Sequence, residues 1–289
     1  MQLEPSELIL NADKSIYHLN LLPEDIAETI ITVGDPDRVS DVSKHFDTVE
    51  LKKGKREFHT HTGTFKGKRI TVISTGIGTD NIDIVLNELD ALANIDFDQR
   101  TIKAQKTSLD IIRIGTSGAI QPEIPIDSFL MSEYAMGFDG LLHFYESQHV
   151  QHQEFSDAFI NHTNWPSRKS IPYVVGYDKS LGEKLFSNRI RLGVTVTNIG
   201  FYGPQGRVLR IPVDNVALKE KLRSFNYRNY KITNLEMETS GIYGLSKLLG
   251  HRAVSMNCIL ANRATGKFSK NPGSSVDGLI QYTLNQLVS

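Results

Sequence analysis

Short runs of valine, isoleucine and leucine recur along this chain, each followed by a stretch with helical spacing. The runs Thr29–Val33, Ile70–Ser74, Ile111–Ile114, Ser128–Ser132, Gly193–Thr197 and Ala253–Leu260 read as strands. Several lack the alternation expected of a sheet with one wet face, so they read as strands covered on both sides. Between them, Ile82, Val85, Leu86 and Leu89 keep one face of a helix, with Asp80 or Asn81 placed to cap it. Met237, Ile242, Leu245 and Leu249 mark a second helix, stopped by Gly250. Ser275 is placed to cap a last helix carrying Leu279, Ile280, Leu284 and Leu287. This alternation specifies an α/β fold, a parallel or mixed sheet with helices on both faces. Asp96–Ser108 is polar and reads as a surface excursion. His143–Asn164 is rich in His, Gln and Ser and reads as a long loop with short helical pieces. Neither reads as a linker, so residues 1–289 are expected to form one domain.

Composition narrows the partners. With 32 basic and 33 acidic residues the formal charge is −1, too little for a global field that would hold nucleic acid or a membrane surface. A few local arginines would still suffice for a small anion. The single cysteine, Cys258, excludes an internal disulfide, and its apolar neighbours Ile259 and Leu260 suit a buried structural thiol. The N-terminus Met1-Gln2-Leu3-Glu4-Pro5 has no targeting pattern, and no run approaches 18 apolar residues. A soluble, cytoplasmic protein is expected.

The chemistry-bearing residues cluster after the strands. Gly34-Asp35-Pro36-Asp37-Arg38 follows the first one. Glycine there lets backbone N–H groups approach an anion, and Arg38 adds a charged donor; a plain turn with a surface arginine is the alternative. Gly76-Ile77-Gly78 follows the second strand, but the third glycine of a dinucleotide fingerprint is missing, and no mononucleotide P-loop occurs. Arg113 lies inside an apolar strand, costly unless a fixed anion faces it, and Thr116 follows. Glu236-Met237-Glu238 reads as the opening of a helix, where acidic residues suit the dipole or where one carboxylate could hold sugar hydroxyls. Phe201-Tyr202-Gly203-Pro204-Gln205-Gly206-Arg207 reads as an extended segment with Gln205 and Arg207 pointing the same way beside the Phe201 ring. An amide and a guanidinium suit a planar ligand edge that alternates carbonyl and N–H. A polar loop with one buried phenylalanine is the alternative. His59 and His61 share a strand face without a third metal ligand, so no metal site is expected.

Taken together, Gly-Asp-Pro-Asp-Arg-Val, Ser-Thr-Gly-Ile-Gly, Arg-Ile-Gly-Thr-Ser-Gly-Ala-Ile-Gln, Phe-Tyr-Gly-Pro-Gln-Gly-Arg, Glu-Met-Glu and Asn262-Arg263 resemble the nucleoside phosphorylase superfamily, most closely its uridine phosphorylases, from about Tyr17 onward. The resemblance implies a three-layer α/β/α sandwich around a mixed, partly barrel-like sheet. It implies phosphorolysis of uridine, with other pyrimidine nucleosides left open, in nucleoside salvage. By position it implies a phosphate site of Gly34, Arg38, Arg56, Arg113 and Thr116. Ribose contacts would be His18, Thr116, Met237 and Glu238, and base contacts Phe201, Gln205, Arg207 and Arg263. Arg207, Gln205 and Arg113 would carry the catalytic burden. His18 and Arg56 match residues supplied by a neighbouring subunit, so a homo-oligomer with shared sites is implied, a dimer or a hexamer of dimers. No cofactor is implied, and phosphate is the co-substrate. Some relatives hold a monovalent cation at a dimer interface through a serine; Asn81 stands there, with Glu57 and Ile77 at the other matching positions, which puts that cation in question.

Two rival readings remain. A purine nucleoside phosphorylase or nucleosidase would share the fold, but the position of the purine-protonating aspartate is Asn262, which cannot be that acid. A silent nucleoside-binding protein would retain the site without turnover.

Overall fold

The computed structural model describes residues 2–214 and 217–289; Met1, part of the N-terminal reading, lies outside them. The strands are β1 (Thr29–Val33), β2 (Thr48–Lys55), β3 (Phe58–Phe65), β4 (Lys68–Ser74), β5 (Ile95–Asp96), β6 (Thr101–Ile102), β7 (Asp110–Ala119), β8 (Phe129–Gly137), β9 (Tyr173–Gly176), β10 (Ile190–Thr197), β11 (Asn226–Tyr227), β12 (Tyr230–Glu236), β13 (Arg252–Asn262) and β14 (Lys267–Phe268). The helices are α1 (Asp37–Ser43), α2 (Thr79–Asn94), α3 (Gln153–Thr163), α4 (Lys179–Leu185), α5 (Leu218–Ser224), α6 (Thr239–Leu249) and α7 (Pro272–Leu287).

All strands but β5 and β6 join one mixed sheet in the order β11-β12-β10-β8-β13-β7-β1-β4-β3-β2, with β9 on β8 and β14 on β13. β1 is parallel to both β4 and β7. β12 also pairs antiparallel with β7, placing Asn234 opposite Ala119. That pairing closes β7, β13, β8, β10 and β12 into a ring, the barrel-like part of the sheet. The remaining strands fan out as an open wing.

Alternate residues of the central strands feed two apolar layers. Ile30, Ile73 and Ile111 pack with Ile82, Val85 and Leu86 of α2 and Ile242 of α6. Ile31, Ile112 and Ile114 pack on the other face with Val39 of α1, Leu181 of α4 and Leu279 of α7. Burying each such side chain is worth roughly 1.5–3 kcal/mol, so both faces of the sheet are strongly committed to helices. The result is the three-layer sandwich.

The chain departs from its sequence pattern in several places. Asp80 and Asn81 do not cap α2: Gly78 is the N-cap and gives no side-chain bond. Ser275 does not cap α7 either; Asn271 precedes the helix, and the Ser275 hydroxyl donates to Asp127 Oδ1 at 2.6 Å. Met237 lies outside α6, which begins at Thr239, because Tyr230–Glu236 is a strand. The segment His143–Asn164 holds an 11-residue helix, α3, whose Phe155 and Phe159 are buried. The polar stretch from Asp96 includes all of the β5–β6 hairpin except Ile95, and Arg100 there donates to the carbonyls of Leu3, Glu4 and Leu8. No helix among the described residues is long and apolar enough to cross a membrane.

Candidate active site

The carboxyl ends of β1, β4 and β7 and the start of α6 surround a cleft of about 730 Å³, within the usual range for a small-molecule site. Gly34, Arg38, Arg113, Thr116, Met237, Glu238, Phe201, Gln205 and Arg207 all line it. Segments far apart in sequence thus converge. A larger void of about 860 Å³ lies beside Gln205 and Arg207, walled mainly by apolar residues such as Phe138, Trp165, Leu218 and Leu222. It takes in neither Gly34 and Gly76 nor Arg38 and Arg113, so the smaller cleft is where the chemistry-bearing groups meet.

Arg113 defines one end of the cleft. It is only 5% exposed. One guanidinium nitrogen, Nη2, donates to Glu238 Oε2 at 2.6 Å and lies 3.2 Å from Glu236 Oε2; Nη1 donates to Asn257 Oδ1 at 3.1 Å. Burial works against the charge, but the two carboxylates more than offset it and hold the pKa of Arg113 above its ordinary value. The fixed anion expected opposite this arginine is therefore supplied by the protein itself. Gly115 makes room for it: a Cβ there would sit 2.0 Å from Arg113 Nη1. Gly76, at φ 69°, is constrained similarly, since a Cβ would meet Asn81 Nδ2 at 2.4 Å.

Arg38 differs in kind. It projects from the first turn of α1, and its guanidinium has no hydrogen bond or ion pair among the described residues. Burial first, and then repulsion from Arg113, lowers its pKa. Arg113 is held by its two carboxylates, so Arg38 is the guanidinium left unpartnered in the cleft that Gly34 and Thr116 also line.

Glu238 and Glu236 are not first-turn residues of a helix, as the sequence pattern suggests. Glu238 is the N-cap of α6, and its Oε1 accepts from the Gly78 N–H at 2.9 Å. Glu236 ends β12, accepts from the N–H groups of Glu238 and Thr239 at 2.9 and 3.0 Å, and takes the Thr197 hydroxyl at 2.6 Å.

The opposite end is built by the Phe201–Arg207 loop. The loop is not extended: Gly203–Gln205 is a 3-10 turn, and Gly206 follows in the left-handed region. Pro204 between two glycines is the turn signal that overrides the strand-like reading. The turn still joins Gln205 and Arg207, with Arg207 Nη1 2.5 Å from Gln205 Oε1. The Arg207 guanidinium also lies 3.8 Å from the Phe201 ring centroid, covering one face of it. Arg263 does not line the cleft; it borders the larger void and donates from Nη2 to the Gln205 carbonyl at 2.6 Å. It supports the loop from behind.

His18 and Arg56 do not line this cleft either. His18 Nδ1 sits 2.6 Å from Glu88 Oε1. Arg56 occupies the tip of the β2–β3 hairpin in the left-handed region, at φ 57°, a conformation non-glycine residues seldom hold and one that clusters at functional positions. Glu57 and Asn81 meet at the cleft edge, where the Asn81 amide donates to Glu57 Oε1 at 3.2 Å. An amide donor thus occupies one oxygen of that carboxylate. Asn262 is turned away from the cleft: Nδ2 donates to the Gln121 and Ile124 carbonyls, and Oδ1 accepts from the Ala264 and Thr265 N–H groups. Cys258 is buried, and burial pushes its thiol up to about 12, as a structural cysteine should be.

The profile of the phosphorylase superfamily matches residues 28–277. A uridine phosphorylase from Thermococcus kodakarensis is 30% identical over 88% of this chain and 80% of its own length. A DeoD-type purine nucleoside phosphorylase from Listeria monocytogenes is 25% identical over 86% of this chain and 88% of its own. Among solved structures, a Trypanosoma brucei nucleoside phosphorylase described as showing uridine phosphorylase activity superposes with a TM-score of 0.86 at 28% identity, covering 97% of this chain and 99% of that one. A match of this extent, on the fold just described, means that the chain belongs to the phosphorylase superfamily.

Proposed function

We propose that this chain, a pentosyltransferase, cleaves uridine with inorganic phosphate to give uracil and ribose 1-phosphate. The observation that carries the reading is the polarity of the cleft. Arg38, unpartnered, stands with Arg113 at one end, while Phe201, Gln205 and Arg207 form a planar-ligand end at the other. Phosphate held beside Gly34, Arg38 and Thr116 would lie beneath a sugar placed between the two ends. As the glycosidic bond stretches, the sugar gains positive character and the base negative character. The phosphate dianion stabilises the first, and Arg207 with Gln205 the second. The arginines then act mainly by positioning the nucleophile in line. Met237 and Glu238 are the ribose contacts in this reading. Pyrimidine over purine is favoured by Asn262, whose amide is fully engaged with the backbone and offers no proton to a purine ring.

The site is completed in our reading by His18 and Arg56 of a second copy. Both are held on the outside of the cleft of their own chain, and Arg56 is displayed at a hairpin tip. Two measurements test the proposal. A nucleoside panel assayed with and without phosphate should give ribose 1-phosphate from uridine in a phosphate-saturable way; free ribose at an undiminished rate without phosphate would make this a nucleosidase. Mixing Arg56→Ala with Arg207→Ala protein should restore activity, because a hybrid dimer has one intact site. Absence of rescue after demonstrated subunit exchange counts against sharing.

A further inference from the structure

His18 and Arg56 belong to different segments, but one side chain ties the two together. Lys55 stands just before Arg56 at the tip of the β2–β3 hairpin. Its Nζ donates to the carbonyl of Tyr17, 38 positions away, and to Asn11 Oδ1 at 3.1 Å. The same ammonium lies 4.4 Å from the centroid of the Tyr17 ring, close enough for a cation–π contact. Asn11 is itself fixed, because its Nδ2 donates to Ser15 Oγ at 2.9 Å and to the Ile16 carbonyl at 3.0 Å. Lys55 makes no ion pair among the described residues, unlike Lys53 on the same strand, whose Nζ lies 2.6 Å from Asp25 Oδ2. An ammonium that meets a carbonyl, an amide and a ring but no carboxylate fixes geometry rather than charge balance.

The Tyr17 carbonyl shares its peptide unit with the N–H of His18. That N–H lies 3.1 Å from both carboxylate oxygens of Glu88 on α2, and the Leu19 N–H donates to Glu88 Oε2 at 2.8 Å. A trans peptide is planar, with its carbonyl and N–H pointing opposite ways. Lys55 therefore holds this plane from one side and α2 holds it from the other. Leu19 is wholly buried, and Phe58, paired with Lys55 across the hairpin, is 1% exposed in the same apolar layer. The peptide and the hairpin tip are both rooted in the core. The His18 ring is set as well. A carboxylate only accepts, so Nδ1 carries its proton toward Glu88 Oε1 at 2.6 Å, and Nε2 is the nitrogen left for a ligand.

We propose that Lys55 is a positioning residue of the shared site: through the Tyr17–His18 peptide it locks His18 to Arg56, so that a protomer presents its sugar contact and its phosphate contact to a second copy as one rigid unit. The claim rests on the shared-site reading above. Lys55 touches neither substrate and serves the cleft of the other copy rather than its own. Misplacing reacting groups by about 1 Å can cost on the order of 10²-fold in rate, so a tie that holds two contacts in register matters to both substrates.

Lys55→Met keeps the aliphatic stem over Tyr17 and removes the donors. It should raise the KM for uridine and for phosphate together and lower kcat/KM on uridine by about tenfold, with the unfolding midpoint kept. Lys55→Arg, which still donates to the carbonyl, should recover most of that loss. Asn11→Ala, which removes the other acceptor of Nζ, should show the same pattern more weakly. The deciding measurement locates the defect. In a hybrid dimer of Lys55→Met with Arg207→Ala, the cleft with an intact Arg207 belongs to the Lys55→Met chain and is completed by the other chain, whose Lys55, His18 and Arg56 are normal. Activity should therefore exceed that of either variant alone, whereas a lysine that merely supports its own chain would give no rescue. Parental kinetics in both Lys55→Met and Asn11→Ala overturn the proposal. So does rescue of Arg56→Ala, but not of Lys55→Met, by Arg207→Ala. Should Lys55→Met fail to fold, the Asn11→Ala hybrid decides the matter in the same way. Failure to rescue Arg56→Ala itself removes the shared site, and this role with it, so the two failures are told apart.

Discussion

The two ends of the cleft hold their arginines in opposite ways. At the anion end, Arg113 is buried among Glu236, Glu238 and Asn257, on strands at the centre of the sheet. At the base end, Arg207 is half-buried in a surface loop, rests on Phe201 and bonds to Gln205, its neighbour two residues before. The first arginine is part of the fold. The second is held by the groups that would contact a base in the function proposed above, and binding there would exchange those contacts. Arg38 is intermediate: it lies on a short helix beside Arg113 but has no protein partner. A guanidinium with its own carboxylates shapes a site, whereas one without them is available to a ligand.

The largest effect should come from Arg113. Replacing it with alanine leaves Glu236 and Glu238 facing each other in a buried site, and breaking a buried pair in this way typically costs about 3–5 kcal/mol. Denaturant unfolding of Arg113→Ala should show a loss of that order, so reduced activity in this variant reports on folding and phosphate together. An unchanged unfolding midpoint would mean that the carboxylates do not depend on Arg113. Arg207→Ala should do the reverse. Its fold should persist, while kcat/KM on uridine falls by about 2.7–4 kcal/mol of transition-state stabilisation, with a smaller loss for Gln205→Ala. Full activity on uridine would remove Arg207 from the base site. Arg38→Ala isolates the anion. The phosphate KM should rise roughly 10- to 100-fold, as for loss of one charge-assisted contact, with the thermal midpoint not lowered. A variant whose midpoint drops without a change in phosphate KM would reverse the contrast between Arg38 and Arg113.

The same contrast governs what was legible in the sequence. β1 was readable because Thr29–Val33 is β-branched throughout and buried throughout. β12 was not, because its inward residues are Asn234 and Glu236, which look like loop residues and are buried in the ring. The cleft residues could be named from short motifs, since each follows a strand and carries its own glycine turn. Their partners could not: Arg113 and Glu238 are 125 positions apart, and no local pattern announces the pair. The turn at Gly203–Gln205 was signalled by Pro204 and Gly206, yet the spacing of Gln205 and Arg207 suggested a strand.

The smallest effect tests whether the anion end is as rigid as the comparison requires. Arg38 rides on α1, and the chain just after that helix is tied to α7: Asp277 Oδ1 lies 2.9 Å from Lys44 Nζ and 2.8 Å from His45 Nε2. Burial is the largest single influence on Asp277 and opposes its ionisation, but the bonds from Lys44, His45 and Gln281 together outweigh it and bring its pKa from 3.8 to about 2. A depressed folded-state pKa stabilises the fold above the unfolded value and is lost as pH falls through the folded one. The contribution should therefore be complete at pH 7 and vanish between about pH 4 and pH 2. Because the group is partly solvent-exposed, Asp277→Asn should cost no more than about 1 kcal/mol at neutral pH. Unfolding midpoints of the two proteins should converge over that acid window. If α1 is anchored mainly by Val39 and Val42 in the core, the phosphate KM of Asp277→Asn at pH 7 stays at the parent value. A several-fold rise would mean instead that the surface tie, rather than the apolar layer, sets where Arg38 points.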